Sequence, residues 1–216
     1  MLIRGFKPFD PIQLAKDTER IVCDGDCRKY TAFYATGVYG GIATSYAVGC
    51  CFRCFFCWSD WSRDFPELYG KFYSAGNAYK NIVKTAKIWS VRRARISACE
   101  PTLCRDHLIR LLEHFEKDDK IELFILETNG IMLGISKSYV KEVSKYEKVH
   151  VRVSLKAGYP QTFTARTGAI QVAFNIPFEA LKNLLKYNIR FHVAAMTDPR
   201  IMPREERTYQ KTYGNK

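Results

Sequence analysis

Val149-His150-Val151-Arg152-Val153-Ser154-Leu155-Lys156 alternates apolar and polar residues without a break. Side chains on a strand point to opposite faces at each step, so one face of this stretch is apolar and the other carries His150, Arg152, Ser154 and Lys156. A strand buried on both faces of an open parallel sheet reads as an almost continuous apolar run. A polar face on such a strand points instead to a barrel lumen that holds a ligand, the plainer alternative being a face that meets solvent at a sheet edge. Two other stretches agree. Arg93, Arg95 and Ser97 share one face of residues 91–98, and Arg190 and His192 share one face of residues 189–196. Residues 121–127 are mostly apolar and add less. Functional groups of barrels gather at the carboxyl ends of the strands, where Ser97, Glu127 and Lys156 fall.

Outward from this stretch, strand-like and helix-like segments alternate. A buried strand is expected over 42–48. Ala78, Tyr79, Ile82, Val83 and Ala86 follow at helical spacing, then the strand over 91–98. Leu108, Leu111, Leu112 and Phe115 mark a helix capped by Thr102, followed by the strand over 121–127. Tyr139, Val143 and Tyr146 mark another helix before the strand over 149–155. A loop holding Arg166-Thr167-Gly168 comes next, then a helix opened by Pro177 and the strand over 189–196. This order predicts an α/β fold, a partial (shortened) TIM-type barrel of parallel strands with crossover helices. Ahead of it, Asp10 and Pro11 start a helix over 10–22, Cys23-Asp24-Gly25-Asp26-Cys27 reads as a turn, and 28–36 as a strand or extended arm. Residues 60–74 read as aromatic and irregular. The expected organisation is an N-terminal extension packing on the barrel (1–41), a core (42–197) and a polar tail (198–216).

The 216 residues are 47% hydrophobic, enough for a real core. No apolar run approaches the roughly 18 residues of a membrane span, and the N-terminus lacks the pattern of a secretory signal. A reducing, cytoplasmic setting is therefore expected, in which eight cysteines suggest metal or redox chemistry rather than a disulfide framework. The net charge of +12 suits an anionic partner such as a nucleotide or RNA. A solvated lysine-rich helix face, with Lys137, Lys141, Lys145 and Lys148, is the plainer account of the same charge.

Four thiols crowd into Cys50-Cys51-Phe52-Arg53-Cys54-Phe55-Phe56-Cys57, directly after the strand over 42–48. Two triads are available, Cys50/Cys54/Cys57 and Cys51/Cys54/Cys57. A zinc ribbon needs a second C-x2-C pair, for which Cys23/Cys27 is an imperfect candidate. Three close thiolates without a fitting fourth leave one iron of a 4Fe-4S cluster open.

The spacing C-x3-C-x-aromatic-C, carried by Cys50, Cys54, Phe56 and Cys57, resembles the radical S-adenosylmethionine (radical SAM) superfamily over roughly residues 40–196. The branch it looks most like contains activating enzymes and 7-carboxy-7-deazaguanine synthase. The resemblance implies that Cys50, Cys54 and Cys57 hold the cluster, leaving Cys51 a spectator, and that the open iron chelates the methionine end of SAM. It implies that Phe56 packs by the adenine. Ala98-Cys99-Glu100-Pro101 sits where the family has Gly-Gly-Glu-Pro against the SAM amino group, with Ala98 and Cys99 departing from the pattern. Glu127-Thr128-Asn129-Gly130 and Ser154-Leu155-Lys156 resemble further SAM-contacting stations, the second coinciding with the polar face already read from alternation. A Gly-x-Ile-x-Gly motif and a sixth strand are missing. The implied cofactors are a 4Fe-4S cluster and SAM, and the implied partner is an external one-electron reductant of flavodoxin or ferredoxin type.

Other residues read both ways. Cys23 and Cys27 suit a second metal or a buried or disulfide-linked pair. Cys99 and Cys104 read as packed thiols. His107 and His114 read as surface or core, and His192 as active site or core. Arg166 reads as an anion contact or a surface arginine, and Trp58 and Trp61 as cluster walls or packing. Three functions follow: a radical SAM enzyme acting on an anionic small molecule, nucleotide or RNA; a radical SAM activase installing a glycyl radical on a partner protein; or a non-catalytic zinc or iron-sulfur protein that binds nucleic acid.

Overall fold

The computed structural model describes residues 6–196 and Pro203. Apart from Pro203, the expected polar tail at 198–216 lies outside the described residues. In chain order the elements are α1 (Pro11–Val22), β1 (Cys23–Asp24), β2 (Cys27–Thr36), β3 (Ile42–Ala47), α2 (Asp60–Asp64), β4 (Lys71–Ser74), α3 (Ala75–Ile88) and β5 (Arg93–Ala98). They continue as α4 (Arg105–Glu116), β6 (Leu123–Thr128), α5 (Ile131–Ile135), α6 (Lys137–Val143), β7 (Val149–Leu155), α7 (Pro160–Thr167), α8 (Ile176–Lys186) and β8 (Phe191–Ala195).

Strands β3, β5, β6, β7 and β8 pair in that order and all in parallel. The sheet curls into a partial barrel with crossover helices, as the alternation predicts. Beyond β3 the sheet continues through antiparallel β2, to which β1 and β4 both pair. On β7 every second residue (Val149, Val151, Val153, Leu155) is buried, and His150, Arg152 and Ser154 are half-buried between them. The register places Tyr46 opposite Ser97, Glu127 opposite Arg152, and Arg152 opposite His192, so the polar residues form rows across one face. The other face is apolar. Ala94, Ile96, Phe124, Leu126, Val151 and Val153 pack there with Ile82, Leu108, Leu112, Val140 and Leu184 in one core. Each large side chain buried in this layer stabilises the fold by about 1.5–3 kcal/mol.

Four expectations are corrected. Residues 60–74 hold α2 and β4; β4 has no buried face, so its ladder to β2 leaves no periodic trace. Thr102 does not cap α4, because its hydroxyl is bonded to the Glu100 carboxylate at 2.6 Å, and left-handed Cys104 occupies the cap position. Arg166 lies in helix α7 rather than a loop; Pro160 opens that helix and Gly168 (φ 77°) ends it. The cysteine pairing also differs. Cys23 is bridged to Cys104, with Cα atoms 5.5 Å apart, because the end of α1 meets the start of α4. Cys104 is therefore not a free packed thiol, and Cys27 stays free on the β2 side of the short hairpin.

His107 is fully buried in α4. One ring nitrogen lies 2.7 Å from the Tyr30 hydroxyl and the other 2.7 Å from the Asp26 carbonyl oxygen. Burial, aided by the nearby Arg28 charge, pushes its pKa down to about 4. The folded state thus binds this proton more weakly than the unfolded chain does. The neutral histidine's contribution is fully present above the unfolded value near 6.5 and is lost as pH falls toward about 4. Urea unfolding at pH 7 and pH 4.5 should show a stability loss of about 2–3 kcal/mol from this group. His107→Gln should flatten that part of the slope, and an unchanged slope would remove His107 as its source.

Candidate functional site

The site is built where β3 ends. Gly49 turns the chain with φ 83°, and a Cβ there would meet Thr18 Cγ2 at 2.6 Å and Val22 Cγ1 at 3.0 Å. Only glycine lets the backbone cross α1 so closely and enter the cysteine loop. The loop that follows has little regular structure but many anchors. Arg53 N–H donates to the Thr167 carbonyl (2.9 Å) and Phe55 N–H to the Arg166 carbonyl (3.2 Å), which ties the loop to α7. Arg53 also donates to the Cys50 carbonyl at 2.8 Å, and Arg63 to the Cys54 carbonyl at 2.5 Å. Both guanidinium groups pair with Asp64, at 2.9 and 2.5 Å. One carboxylate thus holds two arginines that in turn hold the backbone beside two of the thiols.

Cys50, Cys54 and Cys57 line one cavity of about 180 Å³ at the carboxyl ends of the barrel strands. Phe56, Ala98, Cys99, Glu100, Asn129, Ser154 and Lys156 line the same cavity. All ten residues singled out in the sequence are brought together. Cys51 is not; it is fully buried beneath the loop and accepts from Asn129 Nδ2 at 3.2 Å. Burial pushes the Cys54 thiol up to about 12, so a bound positive centre is what would hold it as thiolate there.

Three thiols from one short loop that line a single cavity are a donor set that fits an iron-sulfur cluster.

Glu100 is buried, and both its oxygens are occupied. Oε1 accepts from Thr102 N (3.1 Å), Thr102 Oγ1 (2.6 Å) and Thr128 Oγ1 (2.6 Å), and Oε2 accepts from Asn129 N (2.8 Å). Its backbone N–H donates to Gly49 O at 3.0 Å, and its carbonyl accepts from the fully buried Arg28 at 2.7 Å. Glu100 therefore joins the end of β3, the loop after β5 and the end of β6. Ala98 sits at φ 76°, a left-handed conformation that costs an alanine about 1–2 kcal/mol and a glycine nothing. The backbone keeps the glycine-like turn at a position where this sequence has none. On the opposite wall, Lys156 Nζ lies 5.9 Å from the centre of the Phe56 ring.

A second hollow, of about 360 Å³, adjoins the first and shares Trp58, Ser97, Glu127 and Arg152 with it. Tyr34, Tyr39 and Tyr46 complete much of its wall. Tyr34 and Tyr46 stack with ring centres 4.1 Å apart, and Trp58 meets Tyr46 edge-on at 5.8 Å. Glu127 accepts from Tyr39 (2.7 Å), Arg95 (2.8 Å) and Ser97 (3.0 Å). Burial alone would raise its pKa, but Arg95, Tyr39 and Arg152 together hold it below the ordinary carboxylate range. On the same polar face, a ring nitrogen of His150 lies 2.7 Å from one of His192; partial burial lowers both pKa values. His192 is exposed and lines neither hollow, so it belongs neither to the packed core nor to the cavity wall.

Sequence reasoning passed over Tyr39, Arg63 and Arg152 as site residues. Arg152 was legible, since it shares the β7 polar face with Ser154. Tyr39 and Arg63 were not, because they reach the hollows from a three-residue turn and the five-residue helix α2, too short to leave a periodic pattern. Arg166 does not line the cavity; it is buried in α7 and donates to the Lys156 carbonyl at 3.1 Å. Trp58 is a wall of both hollows, whereas Trp61 packs on Tyr69 outside them.

Known proteins bear on this arrangement in three ways. No curated protein matches the sequence. Among solved structures, TYW1 with a lysine-pyruvate adduct bound superposes with a TM-score of 0.53 at 14% identity, over 94% of this chain and 88% of that one, a likeness of fold. Streptococcus suis SuiB bound to S-adenosylmethionine gives a TM-score of 0.47 at 21% identity, over 70% of this chain and 39% of SuiB. The family model of the radical SAM superfamily matches residues 44–210, well over half of the chain. With that match joined to a cavity in which three C-x3-C-x2-C thiols meet the carboxyl ends of a partial barrel, the chain belongs to the radical SAM superfamily, whose enzymes use a 4Fe-4S cluster and SAM.

Proposed function

We propose that Cys50, Cys54 and Cys57 hold the cluster, that SAM lies along Phe56, Ala98, Cys99, Glu100, Asn129, Ser154 and Lys156, and that an anionic substrate, a nucleotide or a nucleotide within RNA, enters the adjoining hollow. The observation that carries this reading is the pair of adjoining hollows, one lined by three thiols and the other an aromatic chamber lined by Arg152, whose guanidinium lies 3.8 Å from Glu127. A cluster held by these thiols would supply one-electron reduction of SAM, and SAM so cleaved would supply the hydrogen-abstracting chemistry of the family.

The protein's own part is placement and exclusion. Lys156 brings a cation to the SAM carboxylate and Ser154 a hydroxyl to its ribose. Asn129 is held in place through its backbone by Glu100. Phe52, Phe56 and Trp58 line the cavity as apolar walls that keep water from a reactive radical. In the second hollow, Tyr34, Tyr46 and Trp58 offer ring faces and edges to a planar base, and Arg152 offers a cation to a phosphate. The electron comes from a one-electron donor, for which a flavodoxin or ferredoxin is the fitting class. Exposed Phe55 and Trp58 on the loop give such a donor a route close to the thiols. Among the described residues no helix is long and apolar enough to cross a membrane.

The test is anaerobic reconstitution followed by deoxyadenosine measurement with nucleotides, RNA and candidate protein partners. Nucleotides or RNA should stimulate its release, and Arg152→Met should cut that stimulation by roughly tenfold or more, the worth of one charge-assisted hydrogen bond. Stimulation by a protein partner alone would favour the activase reading. A colourless zinc protein that leaves SAM intact under reductant would sink the enzyme reading.

A further inference from the structure

Four thiols, not three, line the cluster cavity. The fourth is Cys99, which is 8% exposed and unbridged. Its sulfur lies 3.5 Å from Ser62 Oγ and 3.9 Å from Ser59 Oγ. The Ser59 hydroxyl is in turn 3.5 Å from the Cys57 sulfur, so Cys57 and Cys99 flank one hydroxyl. Cys99 stands immediately after strained Ala98, whose left-handed backbone fixes where the next side chain leaves the chain. Cys51, the other nearby thiol, does not line the cavity and accepts from Asn129 Nδ2.

From these positions we infer that Cys99 is a reversible fourth ligand, which closes the otherwise open iron of the cluster until SAM displaces it. The inference rests on Cys50, Cys54 and Cys57 being the other three ligands. Thiolate is a strong ligand for iron in such clusters, and a fourth thiolate in the same cavity leaves no position for water. The exchange is a substitution without change of oxidation state. The iron–sulfur bond to Cys99 breaks, and bonds form from that iron to the SAM amino nitrogen and carboxylate oxygen. The SAM ammonium gives up one proton as its nitrogen binds, and the released thiolate takes up one proton through solvent, so none is gained or lost; the thiol then returns to its contacts with Ser59 and Ser62. A cluster closed in this way is protected from losing an iron while no SAM is bound. The cost is weaker apparent SAM binding, because SAM must compete with an internal ligand.

The experiment compares anaerobically reconstituted wild type, Cys99→Ala and Cys54→Ala, with and without SAM. X-ray absorption at the iron edge of wild type without SAM should show sulfur neighbours only, with a nitrogen or oxygen neighbour appearing when SAM is added. In Cys99→Ala that neighbour should be present before SAM is added. The electron paramagnetic resonance spectra of the two proteins should differ without SAM and converge with it. Cys99→Ala should bind SAM roughly tenfold more tightly and lose one iron faster on mild oxidation. A nitrogen or oxygen neighbour in SAM-free wild type would overturn the proposal without recourse to any variant, and so would identical SAM-free spectra of wild type and a folded Cys99→Ala. Failure of the underlying ligand set looks different: wild type would take up no cluster, or Cys54→Ala would keep a full one.

Discussion

Cys54→Ala should yield a protein without a stable 4Fe-4S cluster and with deoxyadenosine release below detection. Cys54 is the residue common to both triads that the spacing allows, and it occupies the centre of the loop. Its carbonyl is held by Arg63 at 2.5 Å and by the Cys57 N–H at 3.1 Å, so the loop fixes its position from both sides. Two thiolates remain from the motif after its loss, one fewer than the proposed ligand set requires. Cys51→Ala is the control that decides between triads. Cys51 does not line the cavity, so the variant should keep iron, sulfide and SAM cleavage. Its cost is of order 1 kcal/mol for the lost hydrogen bond from Asn129. Iron and sulfide content, visible absorption and deoxyadenosine by mass spectrometry read both variants. Full cleavage in Cys54→Ala, or cluster loss in Cys51→Ala, would refute the assignment.

The contrast between those two neighbouring thiols shows where sequence is informative. The period-two pattern on β7 was legible because burial on one face of a strand imposes it residue by residue. The barrel, the strand order and the placement of Ser154 and Lys156 follow from that pattern and from the strand–helix alternation. The cysteine loop was legible through spacing alone, since close thiols must converge wherever the chain goes. What remained hidden depends on contacts between distant segments. Nothing local announces that Cys104 meets Cys23 across 81 positions, or that Tyr39 reaches Glu127. Thr102 looked like a helix cap because threonine caps helices, but a buried carboxylate two residues away competes for its hydroxyl and wins. The brace of Arg53 and Arg63 on Asp64 is likewise a tertiary device, visible in sequence only as unremarkable charges.

Glu100→Gln should lower stability by about 3 kcal/mol, a fall in melting temperature of roughly 5–10 °C for a chain of this length. It should also weaken SAM binding by roughly tenfold or more. The carboxylate is buried, and its four hydrogen bonds all come from donors. Three converge on Oε1, and the Asn129 N–H approaches Oε2. An amide in its place must point an N–H₂ group at one set or the other. The threonine hydroxyls can rotate to accept, but the backbone N–H groups of Thr102 and Asn129 cannot. The least costly arrangement therefore turns the amide toward Asn129 and opposes donor to donor in a buried site, on the scale of 1–3 kcal/mol beyond the loss of charge assistance. Displacement of Asn129 is what carries the damage to the ligand, because its side chain lines the SAM cavity. Thr128→Val separates this positioning role from direct contact. It removes the 2.6 Å bond to Glu100, together with the 3.0 Å bond from the Gly130 N–H, and leaves the carboxylate charged. If Glu100 acts by organising the ends of β5 and β6, Thr128→Val should reproduce part of both losses, seen by thermal melting and by calorimetric titration with SAM. If SAM affinity survives Thr128→Val unchanged yet collapses in Glu100→Gln, the carboxylate touches the ligand itself and the positioning account is wrong.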